Sequence, residues 1–226
     1  MARANILQTD ILQTLASGLI ASCQPVTDGP MDRPEIVAAL ALACEAGGAV
    51  GLRIEGLANL RAVRAVTRLP IIGLVKRMDP ATPIIITPSV QDVHDLAAAG
   101  ADIIAFDATI RAPRPAAVAE LAQAAHAAGL LAMADLATEA EARHALAHVD
   151  VLGTTLSGYT GGAVPQEPDL DLVRACAGLG KPVFAEGRYW ERPQLRAAFA
   201  AGAHAVVVGS AITRPELIVA RFVEAL

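Results

Sequence analysis

Two stretches of this chain end apolar runs on charge. PIIGLVKR (Pro70–Arg77) closes on Lys76-Arg77, and KPVFAEGRYW (Lys181–Trp190) passes from Val183-Phe184-Ala185 to Glu186-Gly187-Arg188. An ionised group at the margin of a core costs free energy unless it is paired or used. A lysine held partly out of water, with Arg53 and Arg77 nearby, loses some of its preference for the charged form. It then serves as a base near neutral pH and, once recharged, as an acid. Glu186 offers the complementary group. Such a pair can move a proton on a carbon next to a carbonyl, and the lysine could instead form a Schiff base, which keeps an aldolase chemistry open.

A second set of residues suits an anion. Gly187 follows the run ending at Glu186, and Gly209-Ser210 opens GSAITRP, so backbone amides can approach a ligand closely at both places. The helix start at Thr213-Arg214-Pro215 adds unpaired N–H groups and the positive end of a dipole. Arg188 or Arg214 would supply charge. A phosphate clamp on one side and Lys76 with Glu186 on the other point to a phosphorylated sugar. Other patterns carry less. His144 and His148 lie four apart but lack the glutamate of a zinc helix, GLGKP lacks the hydroxyl residue of a phosphate loop, and Ser157 has no base spaced to serve it. No metal site and no cofactor is expected. The Gly- and Pro-rich stretch running to Pro168 reads as a surface loop or a cover over the site.

The elements that must position these residues repeat. Short β-rich runs alternate with Ala- and Leu-rich helical stretches that often close on glycine, as in CEAGGAVGL, AAAGADIIAF, HAAGLLAMA and FAAGAHAVVV. About eight βα units are expected, with strands at Leu19–Gln24, Val50–Arg53, Ile71–Lys76, Ile103–Asp107, Leu131–Asp135, Val151–Thr155, Val183–Glu186 and Ala205–Gly209. The fold class is therefore α/β, a (β/α)8 barrel in one domain over residues 1–226, with phosphate-binding loops after the seventh and eighth strands. An extra helix around Asn5–Leu15 would plug its base. An open doubly wound sheet is the competitor, but SCQPVTDGP after the first strand is no dinucleotide fingerprint. Thr138 and Asp32 read as helix caps.

Composition limits the partners. With 54% hydrophobic and 18% charged residues the 226-residue chain is globular and not disordered. A net charge of −5 and 3% aromatic residues give no basic, stacking surface for nucleic acid. No uncharged apolar run reaches membrane-spanning length, and the N-terminus is no secretion signal. Cys23, Cys44 and Cys176 are scattered and odd in number, which suits free thiols in a reducing cytoplasm.

Taken in order, GLIASCQPV, AVGLRIEG, PIIGLVKR, ITPS, IIAFDAT, MADLAT, VLGTTLSGYT, FAEGR and HAVVVGSAITRP resemble the N-acetylmannosamine-6-phosphate 2-epimerase family over nearly the whole chain. The resemblance implies a (β/α) barrel that interconverts N-acetylmannosamine 6-phosphate and N-acetylglucosamine 6-phosphate in sialic-acid salvage, without a cofactor. It makes Lys76 the proton-transfer residue and Glu186 its catalytic partner. Gln24, Arg53 and Asp135 would hold the sugar's hydroxyl, carbonyl and acetamido groups. Arg214 would reach in from the last loop, with Gly187, Arg188, Gly209 and Ser210 around the phosphate. Family members are often dimers, and the apolar C-terminal segment PELIVARFVEAL offers a surface for a homodimer. The chain departs from the family pattern at Met78, between Arg77 and Asp79, and in the arginine spacing of DATIRAPRP. A related decarboxylase or thiamine-phosphate-forming barrel, which would call on metal-binding carboxylates, and a non-catalytic phosphosugar-binding module are the competing readings.

Overall fold

Short runs of Val, Ile, Leu and Ala become strands here because each is followed by a helix that carries the chain back, so neighbours pair parallel. The computed structural model describes residues 10–226. Helix α1 covers residues 10–15. It is followed by β1 (Leu19–Ser22), α2 (Pro34–Ala46), β2 (Gly51–Glu55), α3 (Leu57–Arg64), β3 (Ile71–Leu74), α4 (Val90–Ala99), β4 (Ile103–Asp107) and α5 (Val118–Ala127). The chain continues with β5 (Leu131–Asp135), α6 (Glu139–Ala145), β6 (Val151–Gly153), α7 (Leu170–Ala177), β7 (Val183–Glu186), α8 (Arg192–Ala200), β8 (Ala205–Val208), α9 (Ser210–Thr213) and α10 (Pro215–Val223). Each strand pairs with the next, and β1 pairs with β8 (Ile20 opposite Val207), which closes an eight-stranded parallel barrel.

The two-residue period of a strand sorts its side chains into two cores. Ile20, Ile72, Leu74, Ile103, Ala105, Leu131, Met133, Val151, Phe184, Ala205 and Val207 pack together inside the barrel. Their strand neighbours, such as Ala21, Leu52, Ile104, Phe106, Ala134, Leu152 and Val206, pack outward against the helices. Following the inner parity two residues further reaches Ser22, Lys76, Asp107, Asp135, Glu186 and Gly209. On β2, Arg53 shares the parity of Gly51. The alternation that fills the barrel with hydrocarbon therefore sets a polar ring above it, at the carboxyl ends of the strands.

At the opposite end α1 seals the floor. Leu15 is fully buried among the inner core residues, with Ile11 and Leu12 packed against them. A Cβ on Gly51 would lie 2.4 Å from Leu15 Cδ2, so any larger residue there would have to displace the Leu15 side chain. His204 Nε2 donates to the Leu12 carbonyl at 2.7 Å and its ring stacks on Phe184. Of the expected helix around Asn5–Leu15, residues 10–15 are seen in this role, and the part before residue 10 lies outside the described residues.

Several strands stop short of their expected ends. β1 stops at Ser22, β3 at Leu74, β6 at Gly153 and β8 at Val208, while β2 runs on to Glu55. At the mouth the chain leaves the ladder to enter the loops, and Lys76 is held instead by an antiparallel bridge to Ile86. Thr138 caps α6 as expected, its hydroxyl accepting from Glu141 N while Glu141 Oε2 accepts from Thr138 N. Asp32 is not the cap of α2. Arg33 occupies that position, and Asp32 accepts instead from Asp28 N at 3.0 Å. Gly100 ends α4 with φ 100°, a left-handed cap that glycine adopts without strain. No described helix is long and apolar enough to cross a membrane.

Candidate active site

The polar ring opens onto a cavity of about 980 Å³ at the carboxyl ends of the strands. Gln24, Arg53, Lys76, Glu186, Gly187, Arg188, Gly209, Ser210 and Arg214 all line it, brought together from β1, β2, β3, β7, β8 and the last loop. Asp135 lies beneath. It is fully buried and meets the cavity only through its partners.

Arg53 anchors the floor. Its side chain is 1% exposed and forks onto Asp135, with Nη2–Oδ2 at 2.6 Å and Nη1–Oδ1 at 3.3 Å. Nε lies 3.3 Å from Glu186 Oε2 without hydrogen-bond alignment, so that contact is charge against charge. A buried guanidinium is tolerable only with such a carboxylate, because removing the partner would strand an uncompensated charge at a cost of about 3–5 kcal/mol. Thr155 Oγ1 stands 2.7 Å from Asp135 Oδ1 and 3.1 Å from Glu186 Oε2. One hydroxyl proton can serve only one of them. The shorter contact assigns it to Asp135, which leaves the hydroxyl oxygen free to accept from a protonated Glu186.

That protonated form is within reach. Burial pushes the Glu186 carboxyl up to about 7 and nearby Asp135 adds to the effect, while Arg53 and Lys76 oppose it. The Lys76 ammonium is displaced the other way. The Lys76 side chain is exposed at the mouth, but the walls around it restrict its hydration, which lowers its pKa; Arg214 and Arg53 lower it further, and Glu55 and Glu186 oppose them. The expected contribution of Arg77 is absent. Its guanidinium turns away to Asp92 on α4, with Nε and Nη2 at 3.0 and 2.8 Å from Oδ1, and Arg214 supplies the nearby positive charge instead. Lys76 Nζ donates to Gln24 Oε1 at 2.8 Å, and Gln24 Nε2 to Ser22 Oγ at 2.9 Å. In a closed ring of eight, β3 and β7 stand opposite each other, so Lys76 and Glu186 approach the cavity from facing walls.

The phosphate-side candidates divide. Gly187, at φ 110°, and Arg188, at φ 63°, turn the chain after β7 through successive left-handed residues. The Arg188 guanidinium is held by the loop after β6, donating to the carbonyls of Ser157 and, at 2.7 Å, of Glu167, and it lies 5.5 Å from the Tyr159 ring. It therefore ties the Gly- and Pro-rich segment to the cavity rim. Gly209 packs closely on β1, since a Cβ there would sit 3.2 Å from Ser22 Cβ. Thr213 Oγ1 lies 2.7 Å from the Ser22 carbonyl, and Arg214 Nε donates to the Gln24 carbonyl at 2.6 Å. The short α9 is thus pinned to the end of β1.

Four residues carried no role in the sequence reading. Glu55 accepts from Lys76 N at 3.3 Å and opposes the lowering of the lysine. It stands two residues after Arg53 on β2, a spacing that marks the same face. Thr155 joins Asp135 to Glu186, and the end of β4 contributes Asp107 and Arg111 to the cavity lining. Among the described residues no three His, Cys, Asp or Glu side chains converge as metal ligands.

Fold and site together define a (β/α)8-barrel enzyme, with an ammonium and an acid facing one another over a cavity at the strands' carboxyl ends. The family model described as "Putative N-acetylmannosamine-6-phosphate epimerase" matches residues 37–226. A protein of Glaesserella parasuis serovar 5 (strain SH0165), named "Putative N-acetylmannosamine-6-phosphate 2-epimerase", is 52% identical over 225 residues, 99% of this chain and 96% of the relative. One of the same name from Yersinia pseudotuberculosis serotype O:3 (strain YPIII) is 56% identical over 215 residues, covering 94% and 91%. The solved N-acetylmannosamine-6-phosphate 2-epimerase from Clostridium perfringens has a TM-score of 0.92 at 38% identity, with 96% of each chain covered. The chain belongs to the N-acetylmannosamine-6-phosphate 2-epimerase family.

Proposed function

We propose that the protein interconverts N-acetylmannosamine 6-phosphate and N-acetylglucosamine 6-phosphate by removing and returning the proton on C2. The observation that carries this reading is the pair of oppositely displaced groups on facing walls, with Lys76 made easier to deprotonate and Glu186 easier to protonate. Groups whose environments push their pKa values together, towards the working pH, are those fit to exchange protons.

In the ring-opened sugar the C1 aldehyde acidifies the C2 hydrogen. Lys76, in its neutral form, takes that proton. The enolate-like intermediate gains negative charge on oxygen, and the buried Arg53 with its Asp135 partner is a pre-set electrostatic support for it. A proton delivered to the other face inverts C2. Either Lys76 serves both faces or Glu186, from the facing wall, takes one. No electrons are gained or lost, so the reaction balances without a redox partner. The phosphate would rest at Gly187, Gly209 and Ser210, with Arg214 near it. Gln24 holds Lys76 through its Oε1 and would exchange that bond for a sugar hydroxyl. Arg188 would act chiefly through the loop that it fastens, and Asp135 through Arg53.

The test is epimerisation of N-acetylmannosamine 6-phosphate by the wild type and by Lys76→Ala, with phosphosugar affinity measured beside it. Turnover in the variant should fall at least a thousandfold, within the range for losing a general base, while affinity changes little. Retained turnover would reject the assignment. A homodimer belongs to the same proposal. Helix α10 has no buried residue, and Val219, Phe222 and Val223 are all exposed on it, an apolar face that a second copy would cover.

A further inference from the structure

Arg111 lines the cavity and has no use in the proton transfer or at the phosphate. Asp107, the last residue of β4, is fully buried, and both its oxygens are committed to the loop that follows. Oδ1 accepts from Thr109 N at 3.0 Å and Thr109 Oγ1 at 2.7 Å, and Oδ2 accepts from Arg111 Nη2 at 2.7 Å. Arg111 Nε donates to Thr109 Oγ1 at 3.0 Å. Arg114 fixes the same turn from outside, donating to the carbonyls of Thr109 and Asp107, each at 2.6 Å. The Arg111 guanidinium is thus gripped along one edge. Its Nη1 makes no bond among the described residues, and the side chain, 26% exposed, lines the cavity. Ile85 and Ile86 line the cavity too, and the Ile86 carbonyl accepts from Asp107 N, which sets an apolar wall next to the arginine's anchor.

Position gives this edge a target. β4 stands opposite β8 in the ring of eight, so Arg111 faces the Gly209–Ser210 side across the mouth. A sugar phosphate bound with its phosphate at β7 and β8 directs its other end towards β4. A pre-set guanidinium edge beside hydrocarbon suits an amide, whose oxygen accepts a charge-assisted hydrogen bond while its alkyl part rests on the wall. The same edge repels an ammonium. We infer that Arg111 recognises the N-acyl group of a 2-acylamino hexose phosphate and rejects the free amine, with Asp107 as its positioning residue. The inference rests on the function proposed above for the substrate class and its orientation.

Calorimetry on the whole chain with three probes tests it: N-acetylglucosamine 6-phosphate, glucosamine 6-phosphate and glucose 6-phosphate. In Arg111→Gln the N-acetyl compound should bind at least tenfold more weakly, the scale of one lost hydrogen bond to a charged group. Glucose 6-phosphate should change less than about twofold, and glucosamine 6-phosphate should hold or tighten, since a like charge has gone. Arg111→Lys, which keeps the charge without the fork, should recover part of the loss. In Asp107→Asn, KM for the N-acetyl substrate should rise while kcat stays within about threefold, a split that general loss of structure would not give. Equal loss for all three probes, or no loss, in either arginine variant overturns the inference. Epimerisation by the wild type in the same solutions tests the reaction separately. Selective loss of N-acetyl binding without wild-type turnover would reject the reaction and leave the recognition standing.

Discussion

Glu186 carries the most direct consequence of burial. Its folded pKa, about 7, lies above the ordinary 4.5, so the native state binds this proton more tightly than the unfolded chain. The stability that it contributes is present below about pH 4.5 and is lost as pH rises through 7. Glu186→Gln stays neutral throughout. Relative to wild type, the variant should therefore gain about 1–3 kcal/mol of stability between pH 5 and pH 8, read from denaturant melts at both pH values. A constant difference would show that Arg53 compensates the carboxylate in full. Turnover in the same variant should fall sharply. At this scale the sequence shows which residues are chemical, because charge at the end of an apolar run is rare and conspicuous. It does not show their partners. Arg77 meets Asp92, and Arg188 meets carbonyls of Ser157 and Glu167, contacts made through loops whose path no local pattern reveals.

Among the elements, α1 and the strands it plugs make a separable prediction. Leu15 is buried within the inner core, at the end of the barrel away from the polar ring. Leu15→Ala should cost about 2–5 kcal/mol, as large-to-small changes in a packed core do, and should leave KM nearly unchanged. A large rise in KM would mean that floor and mouth are coupled through the strands. The period-two alternation of the strands explains why Arg53, Lys76, Asp135 and Glu186 share one side of them. Strand ends were less legible. The ladder stops where the chain turns into a loop, and Gln24, Lys76 and Thr155 are residues of the mouth, not of strands. Glu55 went unread as a site residue although it follows Arg53 at the spacing that marks one strand face.

For the molecule as a whole, a net charge of −5 leaves substrate capture to the local cations of the mouth. Among the described residues, α10 carries a group of exposed apolar side chains, Val219, Phe222 and Val223, that its own barrel does not cover. If a second copy covers it, Phe222→Asp, on a residue 74% exposed, should shift the protein towards the monomer in sedimentation velocity without lowering its melting temperature as a monomer. An unchanged oligomeric state would remove α10 from the interface. The closed barrel was legible because β-rich runs alternate with helical stretches about eight times, several of the helices closing on glycine. What covers its surface was not, since the spacing that packs a helix on its own core also suits a partner.

The central claim is that Lys76 and Glu186 face one carbon of a phosphosugar. Proton NMR of N-acetylmannosamine 6-phosphate in deuterated water, with wild type and Lys76→Ala side by side, tests it most directly. The wild type should form N-acetylglucosamine 6-phosphate with deuterium at C2, and the variant should neither form product nor exchange that hydrogen. Product formation by Lys76→Ala at a rate within about tenfold of wild type would contradict the account, because a general base is worth 10²–10⁴ in rate.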